Sequence, residues 1–301
     1  GNFKGGYGFH PLLAWCDNTG ELLAVICRPG NAGSNTAADH IEIIDAAIAA
    51  IPAKWRRNLL ITIDGAGCSH AVVEHLAKLN ARAGWSVAYS VGFDLDERAR
   101  VAIAQMPAAG WEAALDAAGL AREDAQVAEL TGLLRQGAGG DRLAGWPADM
   151  RILVRREKIE EGRQLSLFEQ LNGYRYQVLA TATRGGQPQR LEARHRVHAR
   201  VEGFIRCGKD TGLARWPSHS FAINTAWVAA VALAINLLCW TRLLLLDGPL
   251  AKAEPATLRY RLLHAAARLV KRSRYLILRV PETWPWAQEF AAAVNRVRAI
   301  P

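Results

Sequence analysis

Acidic residues are in short supply. Across 301 residues, 28 Asp and Glu face 37 Lys and Arg, giving a formal charge of +9 and a pI near 9.6. That imbalance points to a polyanionic partner such as nucleic acid. Cysteine is sparse too: Cys16, Cys27, Cys68, Cys207 and Cys239 show no CxxC spacing, which argues against a zinc knuckle or a disulfide framework. A reducing cytoplasm is the expected compartment. Internal repeats and low-complexity tracts are missing, and half the residues are hydrophobic, so a chain of this length buries a sizeable core. No signal peptide is visible, and a chain opening on Gly1 rather than Met is expected to lack its true beginning. Only one long run is free of charge: the 21 positions from Phe221 to Thr241, long enough for a membrane span. Asn224 and Asn236 inside it, Arg242 after it and the lack of a second such run favour a buried core helix and no membrane.

What charge there is, is divided. Arg151 to Arg215 holds fourteen Lys and Arg against seven acids, and Ala251 to Pro301 holds ten against three, whereas Asp94 to Leu143 has nine acids and five cations. The pattern suggests basic surfaces around a core and a separate acidic, alanine-rich segment.

Two β-rich runs, Gly8 to Cys16 and Glu21 to Arg28, flank the turn-forming DNTG and read as a hairpin. A helix from Thr36 to Ile51, a strand at Leu59 to Ile63, a helix capped by Ser69 and a strand at Ser86 to Val91 follow. The stretch from Asp94 to about Pro147 shows helical patches divided by PAAG, DAAG and GAGG, and no strand pattern. Strands are expected again at Arg151 to Arg155 and Tyr174 to Thr183, then helices from Leu191 to Cys207 and from Ser218 to Leu246. A basic C-terminal segment contains the strand-like RYLILRV and a tail helix from about Thr283.

Two carboxylates stand out. Asp64 ends a buried strand, where an α/β sheet gathers its chemistry, and Gly65, Gly67 and Ser69 turn the chain tightly into the next helix. A hydrogen-bonded turn aspartate is an equal reading of that stretch alone. Glu202 lies on a helix with Lys209 seven residues on, nearly two turns away and so on the same face, with His195, His198 and Arg206 on or near it. A carboxylate among cations suits a metal and a phosphodiester, or else a solvated basic helix. His195 and His198 read as a metal pair or as solvated residues, and Trp216 as a base-stacking platform or as packing beside Pro217. Leu258 to Arg279 alternates cations with apolar residues, a DNA-contacting or dimer surface or a solvated face.

The stretches IDGAGCSH (Ile63 to His70) and VEGFIRCGKDTGLARWPSHSFAIN (Val201 to Asn224) resemble the DDE transposases of bacterial insertion sequences. The opening Gly1 to Asn31 resembles that family's second and third strands. The resemblance implies an α/β fold with an RNase H-like mixed sheet flanked by helices, interrupted by a helical insertion, with the first strand missing. Residues 1–93 would form the first part of that core, 94–150 the insertion, 151–246 the second part with the Glu-bearing and buried helices, and 247–301 a basic C-terminal segment. It further implies Asp64 and Glu202 as catalytic ligands of Mg²⁺ or Mn²⁺, and Lys209, Arg206, Arg215 and His198 as DNA contacts. The implied partners are DNA at transposon terminal inverted repeats and a second copy in a homodimer. The family's tyrosine and arginine ahead of the Glu are replaced here by His195 and His198.

By the same resemblance a first aspartate precedes Gly1, and Asp17, in the hairpin turn, does not replace it. The expected activity is metal-dependent cleavage and strand transfer, absent from these 301 residues alone. The alternative is a non-catalytic DNA-binding protein derived from a transposase.

Overall fold

In a computed structural model, the structure describes residues 1, 5–136, 140–159 and 173–300. In chain order the elements are β1 (Leu12–Trp15), β2 (Leu22–Ile26), α1 (Ala37–Ala50), β3 (Asn58–Ile63), α2 (His70–Asn80), β4 (Ser86–Phe93), α3 (Glu97–Gln105), β5 (Glu112–Leu115) and β6 (Ala121–Glu129). Then come α4 (Thr131–Gln136), β7 (Arg151–Lys158), β8 (Tyr174–Thr181), α5 (Pro188–Arg196), α6 (Arg200–Gly208), α7 (Phe221–Trp240), α8 (Gly248–Ala251), α9 (Pro255–Leu258), β9 (Arg268–Arg272), β10 (Tyr275–Arg279) and α10 (Ala287–Arg298). The chain divides into two compact units, Ala32–Ala199 and Gly1–Asn31 with Arg200–Pro301. These divisions fall near residues 31 and 200, whereas the sequence reading divides the chain at 93, 150 and 246.

The unit Ala32–Ala199 is built on a six-stranded sheet in the order β3-β4-β8-β7-β6-β5. Only β3 and β4 run parallel; the other pairs are antiparallel. This mixed sheet flanked by helices is RNase H-like. Alternation along β7 assigns its two faces: Ile152 and Val154 join the core with α1 to α4, while Leu153 and Leu179 meet Leu191 of α5. The helices fit because their apolar residues recur at helical spacing. Ile43, Ile44, Ala47 and Ile48 line α1, and Val72, Val73, Leu76 and Leu79 line α2. Each fully buried Val, Leu or Ile of this kind contributes about 1.5–3 kcal/mol.

The segment expected to be helical, 94–150, has helices α3 and α4 but also strands β5 and β6, which extend the sheet. In AREDAQVAE the alternating burial of Ala125 and Val127 prevails over helix-favouring Ala, Glu and Arg. Of the GAGG stretch, 137–139 lie outside the described residues.

In the other unit, β1 and β2 pair antiparallel around the expected turn, and α6 and α7 pack with them. The apolar run forms α7, continued to Leu245 as a π-type turn, and by length and composition it could cross a membrane. The expectation of a helix buried all round is not met. One stripe, Asn224, Val228, Val231, Ile235 and Cys239, is buried, while Leu233 and Leu237 are 58% and 52% exposed. The two asparagines explain themselves. Asn236 accepts from Leu22 N at 2.8 Å and donates to Leu22 O at 3.0 Å, so its amide docks α7 on the β2 backbone. Asn224 donates to Ser218 O at 2.6 Å and accepts from Ser218 N at 3.3 Å, closing the turn ahead of the helix.

Candidate functional site

Asp64 follows directly on β3, with extended backbone (φ −70°, ψ 176°), and a 3-10 turn, Gly65–Gly67, leads into α2. Ser69 caps that helix, accepting from Val72 N at 3.4 Å. Two glycines fix the corner by close approach. A Cβ on Gly67 would lie 2.3 Å from Ile63 Cγ2, and one on Gly92, in the neighbouring strand β4, would lie 2.6 Å from Gly65 N. The Asp64–Gly65 backbone is therefore seated against β4 where no side chain intervenes. The Asp64 carboxylate is exposed and takes no side-chain hydrogen bond or ion pair among the described residues. Behind the corner, burial, aided by the Asp94 carboxylate, pushes the Cys68 thiol up to about 12, so it is not a nucleophile. Asp96 caps α3 by accepting from Ala99 N at 2.9 Å and pairs with Arg142 at 2.7 Å. That cluster is structural.

On the opposite face of the same unit, α5 is fastened by a buried ion pair. Glu192, 2% exposed, meets Arg155 of β7 at 3.0 Å and Arg196 at 3.0 Å. Burial raises the Glu192 pKa although both guanidinium groups oppose the shift. His195 shares a 2.8 Å hydrogen bond with Ser90 of β4 through Nδ1, and burial, with His198, Arg155 and Arg194 nearby, drives its pKa to about 4. It is a neutral, half-buried residue. The rings of His195 and His198 stack at 6.3 Å, and His198 Nδ1 is buried without a hydrogen-bond partner among the described residues. The single helix expected from Leu191 to Cys207 is interrupted by the 3-10 turn Val197–Ala199, the place where one unit ends.

Glu202, Arg206 and Lys209 lie on α6 and its continuation at spacings of four and three, one above another. Phe204 holds the helix by packing on Trp15 with ring centroids 5.4 Å apart, which leaves Glu202 exposed. Glu202 and Lys209 take no ion pair among the described residues; Arg206 binds Glu254 at 2.7 Å, and Arg200 binds Asp17 at 3.5 Å. Gly212, at φ 145°, kinks the π-type turn Lys209–Leu213 in a conformation that a side chain would strain, and a Cβ there would come within 2.8 Å of Val231. The chain then presents Arg215, exposed, and turns Trp216 onto Phe9 at 4.6 Å, so this Trp packs.

The structure thus brings Glu202, Arg206, Lys209 and Arg215 into one unit and places Asp64 and His198 in the other. Among the described residues no three of His, Cys, Asp and Glu form a metal-holding group. Sequence reasoning overlooked Gly92 and the Arg155–Glu192 pair. The only local signal is Arg155 following directly on the apolar run Ile152 to Val154 in RILVRREK, and nothing in the sequence pairs it with Glu192. Compared with known families, the model of the transposase DDE domain group 1 family matches residues 1–301. No curated protein matches the chain.

Proposed function

Because the chain belongs to the transposase DDE domain group 1 family, we propose that it is the catalytic part of a DNA transposase that cleaves and joins phosphodiesters at transposon terminal inverted repeats. Asp64 and Glu202 are the metal ligands of this reading. Both are exposed carboxylates free of side-chain partners among the described residues, which suits Mg²⁺ or Mn²⁺, ions that take hard oxygen donors and complete their shells with water and phosphate oxygens. Bound there, such ions would activate the attacking oxygen and stabilise the leaving one. Lys209 acts as a point charge on a DNA phosphate, Arg215 and Arg206 add guanidinium contacts, and phosphate competes with Glu254 for Arg206. His198 lies beside them in sequence as a further contact. The protein works as a homodimer on DNA in the bacterial cytoplasm.

The observation that carries this reading is Asp64: an unpaired carboxylate at the carboxyl end of a parallel strand, on a corner that two glycines lock. Asp17, in the turn between β1 and β2, pairs with Arg200 at 3.5 Å and is not among the ligands of this reading. A second reading is DNA binding without catalysis, carried by the exposed Lys209 and Arg215, which take no ion pair among the described residues.

Asp64→Asn and Glu202→Gln separate the two. The catalytic reading predicts that Mn²⁺ tightens binding to terminal-repeat DNA and that either substitution abolishes the tightening. Binding that ignores both the metal and the substitutions supports the second reading.

A further inference from the structure

Strands β9 and β10 form a separate two-stranded sheet, paired from Arg268 with Arg279 to Arg272 with Tyr275. Its tip is Ser273–Arg274, and Ser273 is the one described residue other than glycine with positive φ (52°). Arg268, Lys271, Arg272, Arg274 and Arg279 are all exposed, with no carboxylate between Arg268 and Pro281. None makes an ion pair among the described residues, whereas Arg200, Arg206 and Arg296 of the same unit each bind a carboxylate. Register puts Leu269, Leu278, Lys271 and Leu276 on one face, and Leu269 and Leu276 are 64% and 68% exposed. The other face carries Arg268, Arg272 and Arg279 beside Ile277, and Ile277 and Arg272 line a groove shared with Phe290 and Val294 of α10, which supports a ribbon that would be marginal alone and leaves the arginines at its edges.

We propose that this hairpin is a duplex-DNA contact: a ribbon lying in the major groove, its cations on phosphates of both walls and its leucine face toward the base edges. The fit is steric as well as electrostatic. Five residues per strand make a ribbon roughly 17 Å long, and two-stranded ribbons enter a major groove about 12 Å wide. A second copy of the hairpin would bring like charges together, and a membrane would have to bury Lys271 among the leucines. Both fit less well. The inference rests on the nucleic-acid chemistry proposed above but not on the metal ligands.

The test is fluorescence anisotropy of a labelled duplex with the full chain over a range of NaCl. Arg272→Ala/Arg274→Ala should bind roughly tenfold more weakly and lower the slope of log K against log salt by about 2, one unit per lost phosphate contact. Arg272→Lys/Arg274→Lys should keep the slope, and an unchanged melting temperature in both shows that the fold survives. Affinity and slope unchanged in the alanine variant would overturn the proposal. So would a wild-type chain whose Leu269→Ser/Leu276→Ser variant loses only self-association, or only binding to phosphatidylserine vesicles, while duplex binding stays intact. If the alanine variant loses duplex binding but Asp64→Asn and Glu202→Gln leave the metal response unchanged, the hairpin assignment stands and the catalytic reading fails. The reverse pattern sinks the hairpin alone.

Discussion

Replacing Gly92 by alanine tests whether the corner that holds Asp64 is set by backbone contact. The added methyl would lie 2.6 Å from Gly65 N, 2.8 Å from Gly65 Cα and 3.2 Å from Asp64 C, against an ordinary contact beginning at 3.4 Å. All three are backbone atoms, so no side chain can swing aside. The turn has to move by about 0.8 Å, or β4 has to give way. Overpacking of this kind costs about 1–3 kcal/mol. For a unit of this size, 2 kcal/mol lowers the melting temperature by about 4–8 °C. A shift approaching 1 Å at a ligand also costs up to roughly a hundredfold in function. Gly65→Ala is the matched control, because a Cβ there meets nothing within 4 Å. Thermal unfolding and Mn²⁺ titration in the presence of terminal-repeat duplex measure both effects. If Gly92→Ala melts within about 1 °C of wild type and binds Mn²⁺ as tightly, the corner is not built as described.

Three further outcomes follow from the packing. Asn236→Leu strands the N–H and C=O of Leu22, and should destabilise by about 1–3 kcal/mol in urea unfolding, against the naive expectation that an apolar helix gains from leucine. Glu192→Ala leaves Arg155 buried and should cost about 3 kcal/mol, whereas Arg155→Met/Glu192→Leu should cost much less; equal losses would show that the pair is not desolvated. His195 stays neutral in the folded chain down to about pH 4, while unfolded histidine takes a proton near 6.5. The unfolded state therefore binds more protons between those values, so stability is full above the window and falls as pH drops through it, by at most about 3 kcal/mol. Melting scans of His195→Gln should lose that part of the pH dependence, and an unchanged profile would refute the assignment.

The Asp64 corner was legible in its local part, since the strand end, Gly65, Gly67, the capping serine and the helix start lie within a dozen residues, whereas the seat on Gly92 of the neighbouring strand was not. The face shared by Glu202, Arg206 and Lys209 follows from helical spacing alone. Strands β5 and β6 were not legible, because Ala, Glu and Arg favour helix and only the paired neighbour β7 shows why Ala125 and Val127 alternate. Helix α7 was read as buried because all its faces are apolar, and only contacts with Leu22, 214 residues away in sequence, reveal which stripe is covered. The same distance hides the division of the chain, since its first 31 residues join a unit completed after residue 200. Composition marked the basic C-terminal segment, but the separation of its unpaired cations from the paired ones needed coordinates.

Titration of Mn²⁺ into the chain bound to terminal-repeat duplex, followed by the loss of the free-ion electron paramagnetic resonance signal, tests the assignment of Asp64 and Glu202 most directly. Asp64→Asn and Glu202→Gln should each weaken binding by about tenfold or more, at least as much as losing an outer-shell partner does. Two variants that both take up Mn²⁺ as the wild type does would contradict it.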